Sequence, residues 1–339
     1  MRIESAVTSI SWIPSEAITG ITRLPMDIGM GRYDDPPPDD LGPLDAQHEM
    51  LEALRDADRF RFANHLAVWA EVSDGAITSA GYAGGGLVGA TSIRLGPARM
   101  TVAGVGFPDQ RTEPLIEGGT VRFTQTAGGR TGAPMPRKVS RPPFVRISSP
   151  TAWTTLTLTL RADGSSEFDV VGASPFPRHW IYDAGGALAA KSGIIDFKEW
   201  SQVNYGDHTP WGSEETQREA LVTDVETELE RSLSLTLMRE GKKPRIREVA
   251  EGDALVTQGE PGDTLFVVLD GVLRVDVDGE PLAELGPGTV VGERAVLEGG
   301  IRTATLTAVT PVKVAEAGAD TIEAAVLRDL AGDRRREEA

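Results

Sequence analysis

Apolar and polar residues alternate with a period of two through most of the chain ahead of residue 213. The runs FANHLAVWAEV, VGATSIRLG, MTVAGVGF, TVRFTQT, PFVRISS and TTLTLTLRADGSSEFDVVG are alternating or β-branched, the pattern of strands with one face turned inward. The last run holds Asp163-Gly164 between two such stretches, which predicts a hairpin. Helical spacing is rare. LDAQHEMLEALRDAD, residues 44–58, predicts one helix. A second is predicted over residues 214–239, where Ser213 can serve as N-cap, acids fill the first turn, and Leu221, Val225, Leu229 and Leu233 recur at helical intervals.

Two irregular stretches punctuate the first part. RYDDPPPDDLGP (Arg32 to Pro43) is a proline and acid cluster that predicts loop, and AGGRTGAPMPRKVSRPP (Ala127 to Pro143) predicts another. From Arg245 onward the rhythm tightens into short strands divided by EPGD, LDG, VDGE and LGPG. These place Gly262, Gly271, Gly279 and Gly288 at reversals. Val267, Leu269, Val272, Leu273, Val275 and Val277 are the expected inward positions of a small β-roll. The expected fold class is mainly β (α+β). An antiparallel β-rich domain over 1–213, a sandwich or half-barrel, leads through a connector helix over 214–239 to a β-roll over 240–325 and a charged tail over 326–339.

Composition narrows the function classes. The chain has 339 residues, enough for two domains with cores of their own, and 38 glycines and 22 prolines suit a turn-rich β protein. A net charge of −17 argues against nucleic acid as a partner, because that binding needs a basic surface. There is no cysteine, which removes disulfides, thiolate metal sites and thiol nucleophiles. The opening MRIESAVTSISWIPSEAITG lacks the apolar core of a signal peptide, and no run is long enough for a membrane span. The expectation is a soluble, cytoplasmic protein with no membrane partner.

One stretch carries specific chemistry. GERAVLEGGIRTATLTA runs from Gly292 to Ala308, with Glu293 and Arg302 nine positions apart and Gly299 and Gly300 between them. Upstream lie QGEPGDTLFVVLDG and LGPG at consistent spacing. Together these resemble the cyclic nucleotide-binding domain family of kinase regulatory subunits, gated channels and catabolite-activator-type regulators. The resemblance covers roughly residues 240–325 and implies a cyclic nucleotide, cAMP or cGMP, as ligand, with no other cofactor. It implies that Arg302 pairs with the cyclic phosphate. It also implies that Glu293 accepts a hydrogen bond from the ribose 2′-hydroxyl, and that a short helix opening over Gly292, Glu293, Arg294 and Ala295 turns its first amides to the phosphate. Thr303 stands where many cGMP-selective members carry threonine and many cAMP-selective ones alanine or serine; some cAMP-responsive channels also carry threonine, so both ligands stay open. Two departures are visible: Val291 replaces the usual aromatic and Ile301 the usual proline. GADTIEAAVLRDLAGDRRREEA adds no aromatic to cap the base and no helix-turn-helix, so DNA binding is not expected.

The first domain offers less. GGGLVG (Gly84 to Gly89) spells G-x-G-x-x-G, but strand-like ATSIRLG follows it, so the dinucleotide context is missing. His48, His65, His179 and His208 show no metal-ligand spacing. SPFPRHWIYD gathers Arg178, His179, Trp180 and Asp183, either a ligand pocket or a corner filled by aromatics. No catalytic motif is present. The leading expectation is a sensor whose nucleotide controls the β-rich domain, with protein partners and self-association left open. The alternatives are a nucleotide-gated enzyme using Arg178, His179 and Asp183, or an assembly protein whose nucleotide domain no longer binds.

Overall fold

The computed structural model describes residues 1–14, 34–95, 97–132, 135–138, 145–175, 177–192, 209–211, 222–223, 233, 238, 244–297 and 300–318. The chain is mainly β and separates into two compact units that divide between Val222 and Thr223.

The first unit begins with β1 (Arg2–Trp12), α1 (Leu44–Asp56), β2 (Phe62–Ser73), β3 (Ala76–Tyr82), β4 (Gly85–Val88), β5 (Thr91–Leu95) and β6 (Ala98–Val102). It continues with β7 (Val105–Gly106), β8 (Gln110–Arg111), β9 (Leu115–Glu117), β10 (Thr120–Arg130), β11 (Met135–Lys138) and β12 (Val145–Ser148). β13 (Thr151–Arg161), β14 (Ser166–Ala173), β15 (Arg178–Tyr182), β16 (Leu188–Ser192) and β17 (Val222–Thr223) complete it. One sheet runs β17-β16-β15-β1-β2-β3 with β4 also on β2; the other runs β14-β13-β10-β7 with β8 and β9 also on β10.

The two sheets meet face to face. Val7, Leu66, Val68 and Ile181 of the first share a core with Val121, Phe123, Leu156, Leu158 and Leu160 of the second, so the unit is a β-sandwich. Inside it, Asn64 Nδ2 donates to the Thr154 carbonyl at 2.9 Å and accepts at Oδ1 from Gln125 Nε2 at 2.7 Å. This bridge satisfies polar groups that burial would otherwise leave costly. The opposite face of the first sheet is covered too, since Ile10, Trp12, Trp180 and Tyr182 pack with Leu51 of α1.

The second unit contains β18 (Arg245–Val249), β19 (Ala254–Val256), β20 (Thr264–Asp270), β21 (Leu273–Val277), β22 (Glu280–Leu285), β23 (Val290–Val291), α2 (Glu293–Leu297), β24 (Thr305–Ala308) and β25 (Val312–Gly318). Two four-stranded sheets, β18-β25-β20-β23 and β19-β24-β21-β22, enclose one core. Phe266, Val268, Leu273, Val291, Leu306 and Val314 form its centre. This is the expected roll.

Three expectations need correction. Val267 and Leu269 do not point into the roll: they lie on the other face of β20 and pack with Leu233 and Met238. β20 is buried on both faces, so its run TLFVVLD is apolar without alternation. The segment 214–239 is not one uninterrupted helix, because Val222–Thr223 is an edge strand beside β16. Leu233 and Met238 are helical, and the rest of that segment lies outside the described residues, apart from those two strand positions. Finally, the stretch from Ala127 to Pro143 is not all loop. β10 continues to Arg130 against β13, and β11 pairs with β12, so ladder partners take up the backbone groups.

Candidate functional site

The site grows from the way two loops are joined in the roll. The turn 259–262 and the stretch 300–302 run antiparallel: Gly259 N donates to the Arg302 carbonyl, Arg302 N to the Glu260 carbonyl and Gly262 N to the Gly300 carbonyl, each at 2.8 Å. Three backbone hydrogen bonds thus fix the main chain of Arg302 before its side chain is considered. Gly300 N closes the other side by donating to the carbonyl of Ala295 within α2, at 2.7 Å.

The Arg302 side chain then lies across β20. It is 5% exposed. Nη1 donates to the Thr264 carbonyl at 2.9 Å and Nη2 to Thr264 Oγ1 at 2.8 Å, and Cζ sits 5.4 Å from the centroid of the Phe266 ring. Two glycines make the space. A Cβ on Gly262 would collide with Nε and Cζ, and one on Gly292 would stand 2.8 Å from Nη1 and 2.8 Å from the Thr264 carbonyl oxygen. Gly292 also has φ +94°, the left-handed region that suits glycine. Gly262 was read from sequence as a reversal; its function here is close approach.

Among the described residues no carboxylate is in contact with the guanidinium. Burial draws it below its ordinary value, and the carboxylates of Asp263, Glu316, Glu260 and Glu293 offset this only in part. Among the described residues none of these forms an ion pair with it. A buried cation in that condition gains from a small anion that brings both charge and acceptors.

The other expected residues sit around this centre. α2 begins at Glu293, immediately after Gly292, as expected from the resemblance. Glu293 is 2% exposed and Ala295 is buried, while Arg294 and Thr303 are half-buried. Val291, where an aromatic is usual, pairs with Phe266 and joins the core of the roll. Ile301, where proline is usual, is 47% exposed and bridges to Pro261. The segment from residue 319 onward, in which the sequence offered no aromatic to cap the base, lies outside the described residues. Sequence reasoning missed Thr264; its signal was its place beside Asp263 in the QGEPGDT run.

The candidates of the first unit do not converge. Arg178, His179 and Trp180 are all 0% exposed on β15. Alternation sends Trp180 to the α1 face, where it meets Trp12 edge-on at 5.1 Å, and Arg178 also approaches Trp12, its Cζ 5.8 Å from that ring. His179 turns to the other face, with Nδ1 2.6 Å from Ser11 Oγ and Nε2 2.8 Å from the Ser174 carbonyl oxygen. Burial pushes His179 down to about 4. Asp183 caps the following turn, its Oδ1 accepting from Gly185 N at 2.9 Å and Ala187 N at 3.0 Å. Each of these residues has a packing or hydrogen-bonding role of its own. The glycine-rich run is likewise structural, since β4 pairs with β2 from Phe62 to His65.

Comparison with known proteins agrees with the geometry of the roll. The model of the family described as cyclic nucleotide-binding domain matches residues 246–329. A cGMP-dependent protein kinase, egl-4, of Caenorhabditis briggsae is 44% identical over 63 residues, 19% of this chain and 8% of the kinase. The cAMP-dependent protein kinase regulatory subunit of Yarrowia lipolytica is 42% identical over 74 residues, 21% of this chain and 20% of that subunit. This chain therefore matches only a minor part of either relative's length. A solved cyclic nucleotide-binding domain from Methylobacillus flagellatus aligns with 33% of this chain and 79% of its own, at 21% identity and a TM-score of 0.27. The family match, the two joined loops and the buried arginine coincide on one stretch, and residues 246–329 belong to the cyclic nucleotide-binding domain family.

Proposed function

We propose that this chain is a cytoplasmic sensor in which the roll binds cAMP or cGMP and binding controls the β-sandwich. The observation that carries the reading is the Arg302 guanidinium: 5% exposed, fixed at two of its N–H groups by Thr264, and without a contacting carboxylate among the described residues. A guanidinium has five donors, so three remain for a phosphate. In this reading Arg302 holds the cyclic phosphate, the backbone of Gly292, Arg294 and Ala295 supports it, Glu293 accepts from the ribose hydroxyl, and Thr303 reads the base. The kinase relatives are named for cGMP in one case and cAMP in the other, which supports the ligand class and leaves the choice to Thr303. Control of the sandwich follows if the nucleotide prefers one of two arrangements of the chain.

Calorimetric titration of the full chain with cAMP and with cGMP tests the reading. Micromolar or tighter binding is expected for one of them, lost in Arg302→Ala at an unchanged unfolding temperature. Binding by Arg302→Ala equal to wild type would remove Arg302 from the site. Thr303→Ala should shift the preference toward cAMP.

A further inference from the structure

The nucleotide reading needs a guanidinium aimed at a phosphate, but it does not say what aims it. Arg302 uses Nη1 on the Thr264 carbonyl oxygen and Nη2 on Thr264 Oγ1, so a single residue occupies the end-on edge of the fork with two different oxygens. The five N–H groups lie in one rigid plane. The side-on edge, Nε–H with the outer N–H of Nη2, therefore faces another direction and carries no bond among the described residues. That edge matches two oxygens of a phosphate. Gly262 packs beside Nε and Nη2 without a Cβ to displace them, and Phe266 lies near the guanidinium.

We propose that Thr264 is the positioning residue of the anion site: its carbonyl and hydroxyl hold the end-on edge of Arg302 so that the side-on edge meets the cyclic phosphate. This rests on the nucleotide-binding reading above. Any residue at 264 supplies the carbonyl, while among the hydroxyl residues only threonine and serine set a second acceptor one bond from Cβ. Thr264 is half-buried at the start of β20, where valine keeps its shape and strand preference. The hydroxyl can thus be removed alone. Loss of one hydrogen bond from a charged donor corresponds to a drop in affinity of about tenfold.

Titration of the full-length protein with cAMP and cGMP, as wild type, Thr264→Val and Thr264→Ser, decides the matter when thermal unfolding is followed in parallel. Thr264→Val is expected to bind about tenfold more weakly and Thr264→Ser within about threefold of wild type, with unfolding midpoints unchanged. Should Thr264→Val unfold early, Thr264→Ala removes the same hydroxyl and is read in the same way. Equal or tighter binding by the hydroxyl-free variants shows a hydroxyl that is idle or competes with the phosphate, and overturns the proposal. So does a serine variant as weak as valine. A wild type that binds neither nucleotide overturns the nucleotide reading itself and this proposal with it.

Discussion

Gly262 and Gly292 both border the Arg302 guanidinium, yet alanine at each has a different expected consequence. At Gly262 the colliding atoms belong to the long arginine side chain, which can move aside. Gly262→Ala should therefore fold normally and bind cyclic nucleotide at least about tenfold more weakly, since a fork displaced by a fraction of an ångström loses paired hydrogen bonds. At Gly292 the new Cβ meets the Thr264 carbonyl as well, on a backbone with φ +94°. Gly292→Ala should lower folding stability by about 1–2 kcal/mol, and denaturant melts beside binding curves separate the two cases. Glu293 and Arg302 could be singled out in the sequence because the residues that mark them are consecutive. Thr264 was not visible in this way, because it meets Arg302 across strands 38 positions away. Within the Arg178–Asp183 group the packed-corner alternative fits the contacts: Arg178 and Trp180 share the face that meets Trp12, while His179 between them turns to the other.

Strand β1 shows how elements of the sandwich are held and where acid should act. It pairs with β2 and β15, and each neighbour sets a buried histidine against a hydroxyl of β1: Thr8 Oγ1 lies 2.8 Å from His65 Nδ1, and Ser11 Oγ 2.6 Å from His179 Nδ1. Burial holds both imidazoles down at about 4, with the nearby His48 adding to the effect on His65. The folded values lie below the ordinary 6.5, so the stabilisation is complete above pH 6.5 and is lost as pH falls toward 4. About 2 kcal/mol per histidine should disappear between pH 7 and pH 5, opposed by a smaller gain from Asp34, whose carboxyl burial raises to about 6 and whose protonation favours the fold in the same window. Chemical denaturation across that window measures it, and a flat profile would contradict the buried neutral assignment. At this scale most of the fold was legible, since period-two runs gave the strands, Asp163-Gly164 gave the β13–β14 turn, and α1 formed within residues 44–58. The strand β17 was hidden, because VT within a helical pattern becomes a strand only when the edge of β16 is there to receive it.

Taken whole, the chain has two compact units with separate cores. Two calorimetric unfolding transitions are therefore expected, and nucleotide at about a hundredfold excess over its dissociation constant should stabilise the roll by about 2.7 kcal/mol. The proposed control of the sandwich adds a sharper demand: its transition must move too. A shift confined to one transition would leave binding intact and remove the coupling. The ring of Asp263, Glu316, Glu260 and Glu293 around Arg302 bears on the rate at which the ligand arrives. A cyclic nucleotide is an anion approaching a chain of net charge −17, and these carboxylates act on the Arg302 guanidinium that it seeks. Added salt slows most charged encounters by screening attraction, but here it screens repulsion. Stopped-flow association should therefore quicken as ionic strength rises from about 0.01 M to 0.15 M, so that capture in the salt of a cell is faster than dilute buffer suggests.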